Sequence, residues 1–193
     1  MTPERHPLEP FLPADAKVLM LGSFPPKREK WSMDFFYPNF INDMWRIVGY
    51  LFFSDKEHFF APDRKHFDKD SITAFCNDKG IALYDSASEV IRLKDNASDK
   101  FLQIVEATDL EGLLERIPDC RTLVTTGEKS TETVCSVFGC EKPATGGWTP
   151  LNITRSGREL RFYRMPSTSR AYPLALEKKA EIYGKMFHEA GLL

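Results

Sequence analysis

Four short clusters in this sequence hold residue types that could do chemistry, and each directly follows an apolar run. They are Gly22-Ser23-Phe24-Pro25-Pro26, Asp85-Ser86, Gly127-Glu128-Lys129 and Pro166-Ser167-Thr168-Ser169-Arg170. A carboxylate such as Asp85 accepts a hydrogen bond from an N–H edge; an aspartate here also serves as a turn or N-cap residue. The hydroxyls of Ser167, Thr168 and Ser169, with exposed amides beside them, suit phosphate oxygens. The same three residues make an ordinary Ser/Thr turn. Arg170 and Lys129 supply cations that phosphates attract, and a lysine at such a position is also a plain surface residue. Gly127-Glu128-Lys129-Ser130-Thr131 sounds like a phosphate loop. A Walker loop needs a second glycine and a Gly-Lys pair, and neither is present.

The elements that must hold these clusters read clearly. Lys17–Leu21, Gly80–Tyr84 and Arg121–Thr126 are near-continuous apolar runs, the pattern of buried parallel strands. Leu160–Met165 alternates more and is expected nearer an edge. Helical spacing separates the runs: from about Asn42 through Leu51, from Ser98 through Val105, over 110–116, over 128–138 with Gly139 closing it, and over 173–190 with Gly191 beyond. Alternating strands and helices predict a three-layer α/β/α architecture on a central, mainly parallel four-stranded sheet. In such sheets ligands bind outside the carboxyl ends of the strands, where all four clusters fall.

Composition bounds the answer further. The 193 residues suit one domain, with 1–16 as an N-terminal arm ahead of the first strand. No apolar run approaches the roughly 20 residues that cross a bilayer, and MTPERHPLEPFLP has no apolar signal-peptide core. A cytoplasmic chain is the expectation. Cys76, Cys120, Cys135 and Cys140 form no C-x-x-C pair and no zinc spacing, so no metal and no cofactor is expected. Net charge is −2, yet residues 152–179 carry Arg155, Arg158, Arg161, Arg164, Arg170, Lys178 and Lys179 against only Glu159 and Glu177. A local basic face binds phosphates even on an acidic protein; a solvated arginine-rich hairpin has the same composition.

The clusters also carry a resemblance. Leu21-Gly22-Ser23-Phe24-Pro25-Pro26, then Tyr37 and Asn42-Asp43-Met44-Trp45-Arg46-Ile47, resemble the uracil-DNA glycosylase superfamily, nearest its hypoxanthine (deoxyinosine) DNA glycosylase-like branch. That branch shows a G-S-F-P loop and an N-x-F-W-R-I helix start. Gly80-Ile81-Ala82-Leu83-Tyr84-Asp85 is similar to its G-I-x-L-W-D, Asn96-Ala97-Ser98-Asp99 to its G-S-L-D, and Met165-Pro166-Ser167-Thr168-Ser169 to its L-P-S-T-S. Order and spacing agree from Lys17 to the last helix.

The resemblance implies a DNA repair enzyme that flips one altered base out of DNA and hydrolyses its N-glycosidic bond. Asn42 and Asp85 become the catalytic candidates: Asn42 to orient water at the sugar, Asp85 to read the base edge. Asn42 is equally suited to capping a helix. Gly22, Ser23, Phe24 and Tyr37 become base-binding candidates, with Phe24 as a stacking face. Ser167, Thr168, Ser169, Arg170 and Lys129 become DNA-binding candidates, and Arg170 and Tyr172 could support a wedge in the vacated stack. The expected partner is DNA carrying a deaminated or modified base, met by a monomer. The sequence departs from the pattern at Met165, where many members have histidine, at Tyr84 for tryptophan, and at Asn39-Phe40-Ile41-Asn42 for H-P-R-N. A non-catalytic DNA-binding module and a small-molecule nucleosidase on a similar sheet are the competing readings, because fold alone does not fix function.

Overall fold

The computed structural model describes residues 2–93 and 101–193. The apolar runs are strands: β2 is Val18–Gly22, β3 Ile81–Asp85, β6 Thr122–Thr126 and β8 Arg158–Met165. Between them lie α1 (Met44–Phe53), α2 (Lys69–Lys79), β4 (Ala87–Arg92), β5 (Leu102–Ala107), α3 (Leu110–Glu115), α4 (Glu128–Phe138), β7 (Trp148–Ile153) and α5 (Leu176–Glu189), with β1 (Glu4–Arg5) in the N-terminal arm. The central sheet runs in the order β3-β2-β6-β8-β7 and is flanked by helices. Every residue of β2, β3 and β6 is buried, so both faces of the sheet are covered, as parallel strands require. Among the described residues no helix is long and apolar enough to cross a membrane.

The register decides where a site can form. Gly22 pairs with Asp85, Leu21 with Thr125, and Thr126 with Met165. The four parallel strands therefore finish level at one end. From β2 the chain crosses to β3 on one side, and from β6 to β8 on the other. The crevice between β2 and β6 is the topological switch point, where such sheets bind ligands.

Three expectations need correction. The sheet has five strands, because β7 pairs antiparallel with β8 and takes the edge. Pro150 lies inside β7, and proline is tolerated in an edge strand that needs no full ladder. β8 is consequently an inner strand, and its alternation reflects exposed positions such as Arg161 rather than an edge. The helix expected from Ser98 through Val105 is not formed over its described part: Leu102–Ala107 is β5, antiparallel to β4. Ile104 and Val105 are β-branched and favour the pleated strand. The Asn96-Ala97-Ser98-Asp99 motif lies outside the described residues.

The arm does more than precede β2. β1 adds to β4 and β5 as a second, three-stranded sheet, and Phe11 bridges antiparallel to Leu83 on the free side of β3. α2 leads into β3 and packs against it, with no counterpart among the helices expected from spacing. Asp68 caps it by accepting from the Asp70 and Ser71 amides at 3.1 and 3.2 Å.

An aromatic core fixes the long segment between β2 and α1. Trp45 is 2% exposed, lies among the rings of Phe35, Tyr37 and Phe59, and donates its indole N–H to the Phe36 carbonyl at 3.0 Å. Arg46 sits against the rings of Phe40, Phe60 and Phe67 and donates to the carbonyls of Phe40 and Asn42 at 2.6 and 2.9 Å. Replacing Trp45 by alanine opens a cavity and orphans the Phe36 carbonyl. We expect a loss of about 3–5 kcal/mol in urea unfolding; a loss below about 1 kcal/mol would show that Trp45 does not hold this segment.

Candidate functional site

At the carboxyl ends of β2, β3 and β6 a cleft of about 140 Å³ opens, lined by Gly22, Ser23, Phe24, Tyr37, Asn42, Asp85 and Thr126 among others. Asn39, Asn42, Ser167 and Ser169 line it and also line a broader groove of about 760 Å³. Lys129, Arg164, Arg170 and Tyr172 lie along that groove. A small cleft thus adjoins a larger groove, with polar residues at the junction.

Asp85 is held at the end of β3 by a close approach that only glycine permits. A Cβ built on Gly22 would lie 2.3 Å from Asp85 Oδ1. The other carboxylate oxygen, Oδ2, meets His6 Nε2 at 2.8 Å. The carboxylate is 10% exposed and the imidazole 2%. Asp85 also anchors the chain beyond it, since its carbonyl accepts from Thr108 Oγ1 at 2.7 Å.

Phe24 follows β2 and lines the cleft. It is 8% exposed, packs with Ala87, Val90 and Leu102, and presents an edge-on contact to His6 at 5.3 Å. Arg92 lies 5.6 Å from its ring centroid and donates to the Pro25 carbonyl at 2.7 Å. The Arg92 side chain also pairs with Glu4 at 3.0 Å, so the arm braces the loop that carries Phe24. Tyr37 reaches across the crevice and bonds Thr126 Oγ1 at 2.9 Å. Thr126 spends its own proton on the Leu21 carbonyl at 3.3 Å, so the Tyr37 hydroxyl is the donor. Tyr37 has a φ of 51°, a left-handed conformation that costs a non-glycine residue about 1 kcal/mol or more.

Asn42 stands at the junction. Its Oδ1 accepts from the Met44 amide at 2.9 Å, so it satisfies the first amide of α1 from one residue ahead of the N-cap. A carbonyl oxygen has two lone pairs, and this bond uses one. The next residue, Asp43, holds the N-cap position, but its carboxylate is turned elsewhere. It accepts from Lys179 Nζ at 3.0 Å and from Arg170 Nε at 3.2 Å. Lys179 also donates to the Ser169 carbonyl at 2.8 Å, and the Asp43 amide to the Thr168 carbonyl at 2.9 Å. The start of α1, the loop after β8 and the first turn of α5 are thereby tied into one unit.

Within that loop, Ser167 Oγ accepts from the Ser169 amide and Ser169 Oγ from the Ala171 amide, each at 3.2 Å. Both hydroxyls accept in these turn bonds, which leaves their protons for a ligand. Thr168 is 3% exposed and contributes chiefly its backbone. Lys129 is half-buried in the first turn of α4, on the groove.

The basic stretch does not form one face. Arg155 pairs with Asp109 and Glu111, Arg158 donates to carbonyls at the end of α3 and the turn after it, and Arg161 lies over the Trp148 ring. Arg164 is paired with Glu128, Lys178 with Glu181, and Lys179 is wholly buried. Of the seven cations, Arg164 and Arg170 line the groove. Glu128 lines it too, and Lys142 and Arg164 hold its carboxyl below the usual range.

All the sequence-predicted residues except Lys129, Arg170 and Tyr172 line the cleft, and those three line the groove beside it. Sequence reasoning missed His6, Arg92, Thr126, Asp43 and Lys179. Only Thr126 carried a signal, as the last residue of a predicted strand.

No protein-family model matches the chain, and no curated protein does. Among solved structures, it is similar to the solution NMR structure of a "putative Uracil DNA glycosylase from Methanosarcina acetivorans", with 20% sequence identity and a TM-score of 0.63. The likeness covers 98% of this chain and 99% of that one. At this identity it shows the fold: a mixed α/β chain with a central mainly parallel sheet, like that of the archaeal protein.

Two substitutions test the geometry. Gly22→Ala must displace the Asp85 carboxylate and break its contact with His6, lowering stability by about 1–3 kcal/mol; an unshifted His6 ring in 15N NMR would contradict this. Lys179→Met leaves the Asp43 carboxylate buried without its main partner. The expected cost is about 3–5 kcal/mol in denaturant unfolding, and a neutral result would mean that water reaches Asp43 in solution.

Proposed function

We propose that this chain is a monofunctional DNA glycosylase that takes a deaminated or modified base, of uracil or hypoxanthine type, into the cleft and hydrolyses its glycosidic bond with water. The observation that supports this best is the junction: a base-sized cleft and a groove able to take a phosphate backbone share Asn39, Asn42, Ser167 and Ser169. A nucleotide turned out of a duplex needs that shape, with its base enclosed and its phosphates outside.

Each residue then has a task. Phe24 offers the base an aromatic surface, worth roughly 1–3 kcal/mol for stacking. Asp85 accepts from the base edge. Ser167 and Ser169 donate to a flanking phosphate, and Arg170 and Lys129 add charge along the groove. Ile41, 57% exposed at the groove beside Asn42, is an apolar side chain able to enter the vacated stack.

In the chemical step, bond breaking at the sugar builds oxocarbenium character. Asn42 accepts a hydrogen bond from the attacking water through its second lone pair. The bond from the Met44 amide fixes the direction of that oxygen, so the water is placed without reorganisation. The water oxygen bonds to the sugar carbon and releases a proton, the base leaves with the bonding pair of the broken C–N bond and takes up a proton, and an abasic site remains. Lys179, the lysine next to the loop, is engaged by Asp43 and Ser169, which speaks for water rather than a lysine as nucleophile.

A second reading has its own support. Met165, at the position where the resembled family often has histidine, is an apolar side chain 1% exposed, and Asn42 spends one lone pair on α1. A binding module that recognises an altered base without cutting it would look the same.

The decisive assay incubates labelled single- and double-stranded oligonucleotides carrying uracil, hypoxanthine or xanthine with the wild type and Asn42→Ala, then breaks abasic sites with alkali. We expect cleavage of at least one substrate and a fall of about 100- to 1,000-fold in the variant. Binding of the same oligonucleotides with no cleavage would replace the enzyme with the binding module.

A further inference from the structure

We propose that His6, carried by the N-terminal arm, is a positioning residue for Asp85: it holds one carboxylate oxygen so that the other faces the cleft as an acceptor, and the cleft therefore takes bases whose ring edge offers an N–H. This rests on the glycosylase reading for the identity of the ligand, but the pairing itself rests on geometry.

The arm delivers His6 to a defined place. Glu4 and Arg5 pair with Val90 and Glu89, and the His6 amide donates to the Ser88 carbonyl at 2.8 Å. Glu4 pairs with Arg92, and Phe11 exchanges backbone hydrogen bonds with Leu83 at 3.0 and 2.9 Å. These contacts lie on both sides of His6 in the sequence, so the arm is tied down before and after it. The imidazole is then surrounded by rings, with centroids 4.6 Å from Tyr84, 5.3 Å from Phe24 and 6.3 Å from Phe36. An imidazole so enclosed and 2% exposed cannot turn to water for its polar contacts.

The ring has two polar contacts, and together they fix where its hydrogen sits. Nε2 meets Asp85 Oδ2 at 2.8 Å. Nδ1 lies 2.9 Å from the Leu8 carbonyl and 3.2 Å from the Leu8 amide nitrogen. If the ring is neutral, Nδ1 accepts from the Leu8 N–H and Nε2 carries the hydrogen. If the ring is charged, Nδ1 donates to the Leu8 carbonyl and Nε2 again carries one. The neutral form with hydrogen on Nδ1 would set a bare Nε2 against a carboxylate and is excluded by repulsion. The Asp85 carboxylate therefore selects Nε2 as the donor, and Leu8 satisfies Nδ1 in either charge state through its amide or its carbonyl.

With Oδ2 held, the carboxylate plane is fixed. Oδ1 then occupies the space beside Gly22 where a side chain would be, at the end of β2 and the wall of the cleft. A carboxylate oxygen only accepts. A ring N–H satisfies it, whereas a methyl group on that nitrogen removes the donor and adds bulk. Without His6, Asp85 could rotate, and its acceptor would no longer be aimed.

The test uses the full chain and free bases as probes, so it does not depend on cleavage. Uracil and hypoxanthine, each beside its ring-N-methylated form (3-methyluracil, 1-methylhypoxanthine), are titrated into wild type, His6→Gln and His6→Leu, with thermal unfolding as the folding control. Glutamine keeps an N–H that can reach Asp85; leucine removes it. We expect an unmodified base to bind wild type and His6→Gln about 10-fold or more tightly than His6→Leu, and more tightly than its methylated form. Equal binding by folded His6→Leu, or no preference over the methylated base, overturns the proposal, as does failure of the wild type to bind either base. Oligonucleotide cleavage run in parallel separates the two ideas. Cleavage without base selectivity sinks this inference alone, and selective base binding without cleavage sinks the catalytic reading alone.

Discussion

The candidate site depends on a buried ion pair. Lys179 is wholly enclosed, and its ammonium is matched by the Asp43 carboxylate and the Ser169 carbonyl. Burying two charges is costly, and such pairs are weak as sources of stability but strongly selective for geometry, because neither charge tolerates losing its partner. The pair does not touch the cleft. It decides instead that the loop after β8 and the start of α1 share one position, so that Ser167 and Ser169 come to lie beside Asn42. Arg170 adds a half-exposed second cation to Asp43, which leaves its other guanidinium nitrogens beside the groove.

The second constraint is the register of the parallel sheet. Strands that finish level deliver the residues after them to one plane, and β2 is where the crossovers diverge. Gly22 and Asp85 are cross-strand partners there, and the missing side chain of one makes room for the carboxylate of the other. The switch-point crevice is lined by Asp85 with Gly22, by Phe24, and by Tyr37 bonded to Thr126.

Much of this was legible. Apolar runs ending in Gly22, Asp85, Gly127 and Pro166 predicted the strands and hence the plane of the site, because fully buried strands are written in uninterrupted apolar residues. α4 and its Gly139 cap follow from local rules alone. What escaped was non-local. β7 hid behind Pro150, and the 102–107 segment fits either a helical or a strand pattern until β4 is known to lie beside it. Lys179 and Asp43 are ordinary helix residues in sequence; only the fold makes them partners 136 positions apart. The arginines of residues 152–179 read as a basic face, yet most are used to hold neighbouring carbonyls, acids or a ring. Composition reports charge but not where it is spent.

His6 is the sharpest case of a residue that spacing could not reveal, and under the proposed reaction it bears on the chemistry of base release. In the proposed reaction the base would leave with the bonding pair and gain negative charge, and a neighbouring carboxylate would oppose that charge. A lone Asp85 would therefore read the ground state well and hinder departure. Paired with a neutral imidazole, the Asp85–His6 unit still carries one negative charge; paired with the imidazolium it carries none. Leu8 presents both an amide and a carbonyl to Nδ1, so the same contacts serve both forms. Met165 leaves the last strand without a proton-bearing ring; in the proposed reaction the arm would supply one through His6, behind the Asp85 carboxylate that lines the cleft, and its N–H would moderate the one charge there that works against bond cleavage.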